Sequence, residues 1–199
     1  MTSHSEAALD LAREKGLVRP RDLAPRGIPR VTLTRLVRSG RLAKIGRGLY
    51  ALPHRDVTEH QGLAETAKRV PHGVVCLLSA LRFHGLTTQD PFEVWLAIDR
   101  KARRPQQDHP PLRIVRFPAR ALAEGVEEHQ IEGVKVRITS PARTVVDCFR
   151  YRSKVGLDVA IEALRDYRRG AAGTADELWK AAGVARSRSV IRPYLEALA

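Results

Sequence analysis

Two groups of residues in this sequence have the types and spacing for chemistry. The first runs from Arg30 to Arg47. At helical spacing Val31, Thr34, Arg35 and Arg38 share one side, Arg30 and Thr32 flank it, and Leu33, Leu36 and Val37 share the other. An arginine fork matches O6 and N7 of guanine, a threonine hydroxyl can hydrogen-bond to a base, and a short apolar chain such as Val31 fits a thymine methyl group. Lys44 and Arg47 follow, and cations beside a reading helix touch phosphates or a minor groove. This chemistry is recognition of nucleic acid rather than bond breaking. The second group is Asp90 with Asp99 and Lys101, which faintly resembles restriction-type nucleases, where carboxylates hold magnesium and a lysine assists attack. Asp and Lys one residue apart are common in charged loops, so a solvated loop is the preferred reading. Arg100, Arg103 and Arg104 make that loop a second candidate contact for nucleic acid.

The first group needs a helix, a stop and a hairpin to position it. Pro29 suits the first position of a helix, where its missing amide hydrogen is not needed, and Gly40 suits the left-handed position that ends one. The intervening stretch of about ten residues spans about 15 Å, enough to lie in a major groove. Beyond Gly40 the pattern alternates through Leu42, Lys44 and Ile45, turns at Gly46-Arg47-Gly48, and returns through Leu49 to Leu52. Helix, turn and basic hairpin in this order predict the DNA-reading half of a winged helix-turn-helix.

Upstream, a helix is expected over Ser5 to Lys15, with Ser5 or Ser3 as cap and Gly16 as stop. A short one opens at Pro20, and Pro25 to Ile28 forms the turn into the reading helix. A domain of residues 1–55 is therefore predicted, with a break at Pro53 to Asp56. Residues 56–199 read as a mixed α/β domain with a small sheet and C-terminal helices, which makes the whole chain α+β. Helices are expected over Val57 to Val70 and Val74 to Phe83, and strands at Phe92 to Ile98, Leu112 to Phe117, Glu128 to Ile131 and Val134 to Ile138. Ser140-Pro141 opens a further helix, Leu157 to Leu164 lies in another, Thr174 and Glu177 form a capping box, and the chain ends helical through Leu198.

Charge points to the same partner. The 199 residues carry a formal net charge of +13, and Arg19 to Arg55 alone holds ten basic residues against the single acid Asp22. A polyanion is implied, and the concentration of charge in the predicted reader favours double-stranded DNA. Cys76 and Cys148 each lie in an apolar run and read as buried thiols in a reducing compartment. No stretch approaches the ~20 apolar residues of a membrane span, so a cytoplasmic protein without a membrane partner is expected. The seven histidines lack ligand spacing, and Gly46-Arg47-Gly48 lacks the helix and further glycine of a phosphate-binding loop, so neither metal nor cofactor is expected. Ser79, Ser140 and Asp147 invite a catalytic reading. Ser140 is better explained as a helix cap, and Asp147 as a partner of Arg143 four residues earlier. No catalytic residue is assigned.

The run from Val18 through Leu52, with its ending LTRLVRSGRLAKIGRGLYAL, resembles the N-terminal winged-helix domain of AbiEi-type antitoxins from type IV toxin-antitoxin systems. LLSALRFHGLT at Leu77 to Thr87, VWLAIDRKARRP at Val94 to Pro105 and ITSPARTVVDCF at Ile138 to Phe149 resemble that family's following domain. The resemblance implies a non-enzymatic transcriptional repressor that binds an inverted repeat in its own promoter. It also implies a C-terminal domain that counters a nucleotidyltransferase-like toxin. DNA contacts fall on Arg30, Val31, Thr32, Thr34, Arg35 and Arg38 of the helix and on Lys44 and Arg47 of the wing. A free-standing regulator without a toxin and a nuclease-like C-terminal domain are the alternatives.

Overall fold

The computed structural model describes residues 3–107, 109–170 and 173–197. The chain is α+β, as the sequence predicts, and divides into two compact units. The first runs to Arg69 and takes in Gln130–Lys135; the second comprises Val70–His129 and the chain from Val136 onward.

Unit 1 opens with α1 (His4–Lys15), whose cap is Ser3, accepting the Glu6 amide at 3.3 Å. Gly16 ends it at φ 63°, and a Cβ there would lie 1.7 Å from the Glu132 carbonyl oxygen, so only glycine fits. β1 (Leu17–Val18), α2 (Pro20–Leu23) and a 3-10 turn at Ala24–Arg26 lead to α3 (Val31–Arg38), then β2 (Ala43–Gly46), β3 (Leu49–Ala51) and α4 (Gln61–Arg69). Pro29 and Arg30 form the turn into α3 rather than its first residues: the Thr32 amide donates to the Pro29 carbonyl at 3.0 Å and the Leu33 amide to that of Arg30 at 3.1 Å. Gly40 has φ 69°, as a helix stop requires.

Leu17 and Val18, between α1 and α2, pair antiparallel with Ala51 and Tyr50, giving a three-stranded sheet of order β1-β3-β2. Their side chains are fully buried, and this supplies the apolar content that makes a two-residue strand hold. Leu9, Leu11, Leu23, Ile28, Leu33, Leu36 and Leu42 form the core.

This unit continues past the break expected near residue 55. Arg55 Nη1 lies 2.6 Å from Glu132 Oε2, and its Nη2 3.8 Å from Glu65 Oε1. Lys68 Nζ lies 2.9 Å from Asp22, and Arg19 Nη1 donates to the Arg69 carbonyl at 3.0 Å. Each partner is remote in sequence, so composition around Pro53 gives no sign of the join.

A five-stranded sheet of order β6-β5-β4-β8-β7 is built from β4 (Val74–Val75), β5 (Val94–Asp99), β6 (Leu112–Phe117), β7 (Val126–Ile131) and β8 (Val134–Thr139), and it belongs to unit 2 apart from the Gln130–Ile131 end of β7 and the Val134–Lys135 start of β8. α5 (Leu77–Phe83) follows β4, and α6 (Pro141–Arg150), α7 (Arg152–Val155), α8 (Leu157–Arg169), α9 (Ala175–Val184) and α10 (Arg188–Ala197) follow β8. The helix expected from Val74 begins only at Leu77. Val74 and Val75 instead form the central strand, antiparallel to Ala97 and Leu96 of β5, with Val75 parallel to Ile138 of β8. Two buried β-branched residues suit a strand buried on both faces. The helix expected from Val57 begins at Gln61. Leu198, the expected helical end, lies outside the described residues.

α6 is buried along its length between Ala142 and Phe149 and forms the centre of this unit's core with Val159, Leu164, Leu178 and Ile191. Ser140 caps it by accepting the Arg143 amide at 3.4 Å, and Thr174 with Glu177 forms the expected capping box of α9. Cys76 and Cys148 are free and buried.

Candidate nucleic-acid interface

α3 is short, so its two faces are sharply separated. Leu33 and Leu36 are buried, Val37 packs against the core, and Arg30, Thr34, Arg35 and Arg38 are exposed. Val31 is 50% exposed although apolar, whereas Ile28, the core residue of the preceding turn, is 4% exposed. Thr32 departs from the expected set: at 4% exposure it lies on the packed side of the helix. Being one residue from Val31 and two from Thr34, it is rotated away from both on a 3.6-residue period.

Lys44 and Arg47 stand exposed on the hairpin. Lys44 is opposite Tyr50, and the register shifts between Lys44 and Gly46, a bulge that carries the chain into the Arg47-Gly48 turn, where Gly48 has φ 64°. Hydrogen bonds from the Arg41 and Leu42 amides to the Leu36 carbonyl, at 2.9 and 3.1 Å, fix where the hairpin leaves the helix. The structure thus places Arg30, Val31, Thr34, Arg35 and Arg38 on one exposed face and Lys44 and Arg47 on the adjoining hairpin.

Several cations of this unit have carboxylate partners and others do not. Arg13, Arg26 and Arg41 pair with Asp10, Glu14 and Glu6 at 2.6, 2.5 and 2.6 Å, while Arg55 and Lys68 pair with Glu132 and Asp22. Among the described residues, Arg30, Arg35, Arg38, Lys44 and Arg47 have no carboxylate partner. These five exposed cations concentrate uncompensated charge on α3 and the hairpin, the condition for attracting a polyanion rather than stabilising the fold.

One neighbour was not legible in the sequence. The Arg69 guanidinium lies against the hairpin, its Nη2 2.5 Å from where a Gly46 Cβ would stand. Its separation in sequence leaves no local signal.

Elsewhere in unit 1, burial pushes the Asp22 carboxyl up, but Lys68 and the Arg19 amide, which donates to it at 2.8 Å, outweigh that and hold it below the usual range. Asp22 thereby ties α2 to α4 and supports the unit that carries α3.

The other candidate chemistries are otherwise engaged. Asp99 Oδ1 accepts the Lys101 amide at 2.8 Å, and Asp90 lies exposed with Arg82 Nε 3.7 Å away. Ser79 Oγ accepts the Trp95 amide at 2.9 Å. Among the described residues, no group of three or more His, Cys, Asp or Glu is placed to hold a metal ion, and no helix is long and apolar enough to cross a membrane.

With helices, hairpin and free cations in place, comparison with known proteins adds a family match over part of the chain. Residues 6–53 match the family described as "Transcriptional regulator, AbiEi antitoxin". The AbiEi match runs from α1 through β3, the elements that build and present the cationic face, and its description is regulatory rather than enzymatic. No curated protein matches the chain. Three solved chains are similar in fold, among them the crystal structure of the RV2827C protein from Mycobacterium tuberculosis. That likeness has a TM-score of 0.57 at 15% identity and covers 92% of this chain and 72% of the other, so it extends the shared fold well beyond the AbiEi-matched segment.

Proposed function

We propose that unit 1 is a winged helix-turn-helix that binds double-stranded DNA, and that the protein is an autorepressing regulator of the AbiEi antitoxin type acting on an inverted repeat in its own promoter. The observation that carries this is the unpaired cationic face: Arg30, Arg35 and Arg38 on α3 with Lys44 and Arg47 on the hairpin, in a segment matched by the AbiEi family. α3 enters the major groove, where Arg35 and Arg38 have the fork needed for guanine, and the hairpin lies along the backbone or in the minor groove. In this reading the sequence-specific contacts lie within residues 1–55, α4 and residues 130–135 hold that reader together, and a nucleotidyltransferase-like toxin is the functional partner of the remainder. The buried Thr32 takes no direct part.

The test is titration of the full chain against its own upstream DNA and against random duplex, at several salt concentrations. Affinity should fall steeply with salt, because neutralised phosphates release counterions. Arg35→Ala should cost about 1 to 3 kcal/mol on the operator and relax its sequence preference. Equal losses on both duplexes would assign Arg35 to the backbone, and absence of salt-sensitive binding would remove the DNA-binding reading. A nucleotidyltransferase gene beside this one favours the antitoxin; its absence favours a free-standing regulator.

A further inference from the structure

Unit 2 carries a cationic surface of its own. The loop after β5 presents Arg100, Lys101, Arg103 and Arg104, and the junction of α6 and α7 presents Arg150, Arg152 and Lys154, all exposed. Segments 99–104 and 150–154 hold seven basic residues against one acid, Asp99, whose Oδ1 is engaged by the Lys101 amide. Among the described residues none of the seven has a carboxylate partner. Arg150 and Arg152 donate instead to the carbonyls of Ala185 and Phe149.

The fold brings the two segments together. β5 and β6 are parallel with Asp99 opposite Phe117, so the basic loop leaves the sheet beside the end of β6. Tyr151 stacks on Phe117 with ring centroids 5.7 Å apart and planes inclined by 19°, which holds the α6–α7 junction at the same end. Phe117 covers one face of the partly buried Tyr151 ring, and the long Arg150 and Lys154 side chains stand over the ring at 5.8 and 5.6 Å. Burial raises the pKa of the Tyr151 hydroxyl, and the charges of Arg150 and Arg100 oppose the rise, which places Arg100 within electrostatic reach of the ring. The loop is braced: the Ala102 amide donates to the Asp99 carbonyl at 3.1 Å, and Arg116 Nη1 donates to the carbonyls of Asp99 at 2.8 Å and of Ala102.

We propose that this surface binds single-stranded nucleic acid, with the loop and α7 cations on the phosphodiester backbone and Tyr151 as the platform for one base, which stacks there as Arg150 and Lys154 swing onto phosphates. Five of the seven cations are arginines, whose planar forks match phosphate better than a lysine ammonium does. Unpaired cations around an aromatic ring are the combination that single strands use, since an unstacked base supplies the π-face that a duplex keeps inside its stack. The site stands apart from the reading of unit 1 and does not depend on it.

The test uses the full chain and fluorescein-labelled 12-nucleotide oligo-U RNA, oligo-dT DNA of the same length and a random DNA duplex. The triple variant Arg100→Ala/Arg103→Ala/Arg104→Ala should bind both single strands at least tenfold more weakly. Its log–log salt slope should be shallower by about 2, from three lost phosphate contacts on a single strand. Tyr151→Leu should weaken single-strand binding while leaving the salt slope unchanged, and Tyr151→Phe should bind as the wild type does. Melting temperatures of all variants are compared to exclude unfolding. A loss on RNA alone identifies the strand as RNA, and equal losses identify a surface indifferent to the sugar; either supports the site. Three results overturn it: unchanged affinity and slope in the triple variant, tighter binding of duplex than of single strand at this surface, or competition by polyglutamate as effective as by oligonucleotide. An Arg35→Ala/Arg38→Ala/Arg47→Ala variant should keep single-strand binding, so failure of the unit 1 reading and failure of this one are read on different probes.

Discussion

Arg143 Nε donates to Asp147 Oδ2 at 2.8 Å across one turn of α6, with both side chains almost wholly buried. Arg143 Nη1 also donates to the Glu124 carbonyl at 3.0 Å, while Asp147 Oδ1 has no partner among the described residues. The pair thus ties the turn before β7 to the centre of the core in unit 2. Removing Arg143 leaves the Asp147 carboxylate buried and alone, so Arg143→Met should cost about 3 to 5 kcal/mol in denaturant unfolding at pH 7; Asp147→Asn, which leaves Arg143 its Glu124 carbonyl, should cost less, and Arg143→Met/Asp147→Asn should cost less than the sum. Additive losses would show that the two residues act independently.

The same carboxyl predicts a pH effect. Burial pushes Asp147 up to about 6, and the Arg143 guanidinium offsets only part of that. A carboxyl whose folded pKa lies above its unfolded value of about 3.9 binds its proton more tightly when folded. Its contribution to stability is therefore present below about pH 4 and lost as pH rises through about 6. Unfolding free energies measured from pH 4 to 7 should carry this fall in the wild type and lack it in Asp147→Asn; identical slopes would contradict it.

Asp22 has the opposite sign. Its carboxyl is held below the usual range, so its contribution is present above about pH 4 and is lost as the pH falls through the folded value. Asp22→Asn should lower stability at neutral pH and flatten the acid limb of the unfolding curve. A variant that loses stability equally at every pH would assign the effect to packing rather than to the Lys68 pair.

How far these relationships were legible depends on their reach along the chain. The Arg143 and Asp147 pair, the Ser140 and Thr174 caps and the Gly40 stop are local, set by spacings of a few residues, and they appear in the structure as the sequence predicts. The cationic face of α3 was legible for the same reason, except that flanking position alone did not show Thr32 turning inward. Long-range pairing was not. The strand role of Val74 and Val75 depends on Leu96, Ala97 and Ile138, and that of Leu17 and Val18 on Tyr50 and Ala51. Short apolar runs are ambiguous between helix and strand until such partners are known.

The long-range ties of unit 1 lead to a further expectation. A fragment ending at residue 55 loses Lys68 as the partner of Asp22 and the Arg69 carbonyl as an acceptor for Arg19. A fragment ending at Arg69 keeps both and should melt at a higher temperature. Equal melting temperatures would favour a boundary near residue 55.

Val31 stands apart on the exposed face of α3 because it is apolar and half exposed. A half-exposed valine beside three arginines contributes little to the core, whereas Ile28 and Leu33 on either side of it are nearly inaccessible. On duplex DNA a short apolar chain at the start of a reading helix approaches the major-groove floor without leaving a polar atom unpaired, and a thymine methyl group is the contact it fits. Thr34 is exposed one turn further along, and in the proposed DNA-binding reading it hydrogen-bonds to a neighbouring base. Val31→Ser should therefore leave the melting temperature nearly unchanged while weakening binding to the operator. Replacing the contacted thymine by uracil, which lacks the methyl, should weaken the wild type and add little further loss to the variant, since both changes delete the same contact. If Val31→Ser lowers the melting temperature by several degrees and thymine and uracil operators bind alike, Val31 serves the fold and base reading falls to Arg35 and Arg38.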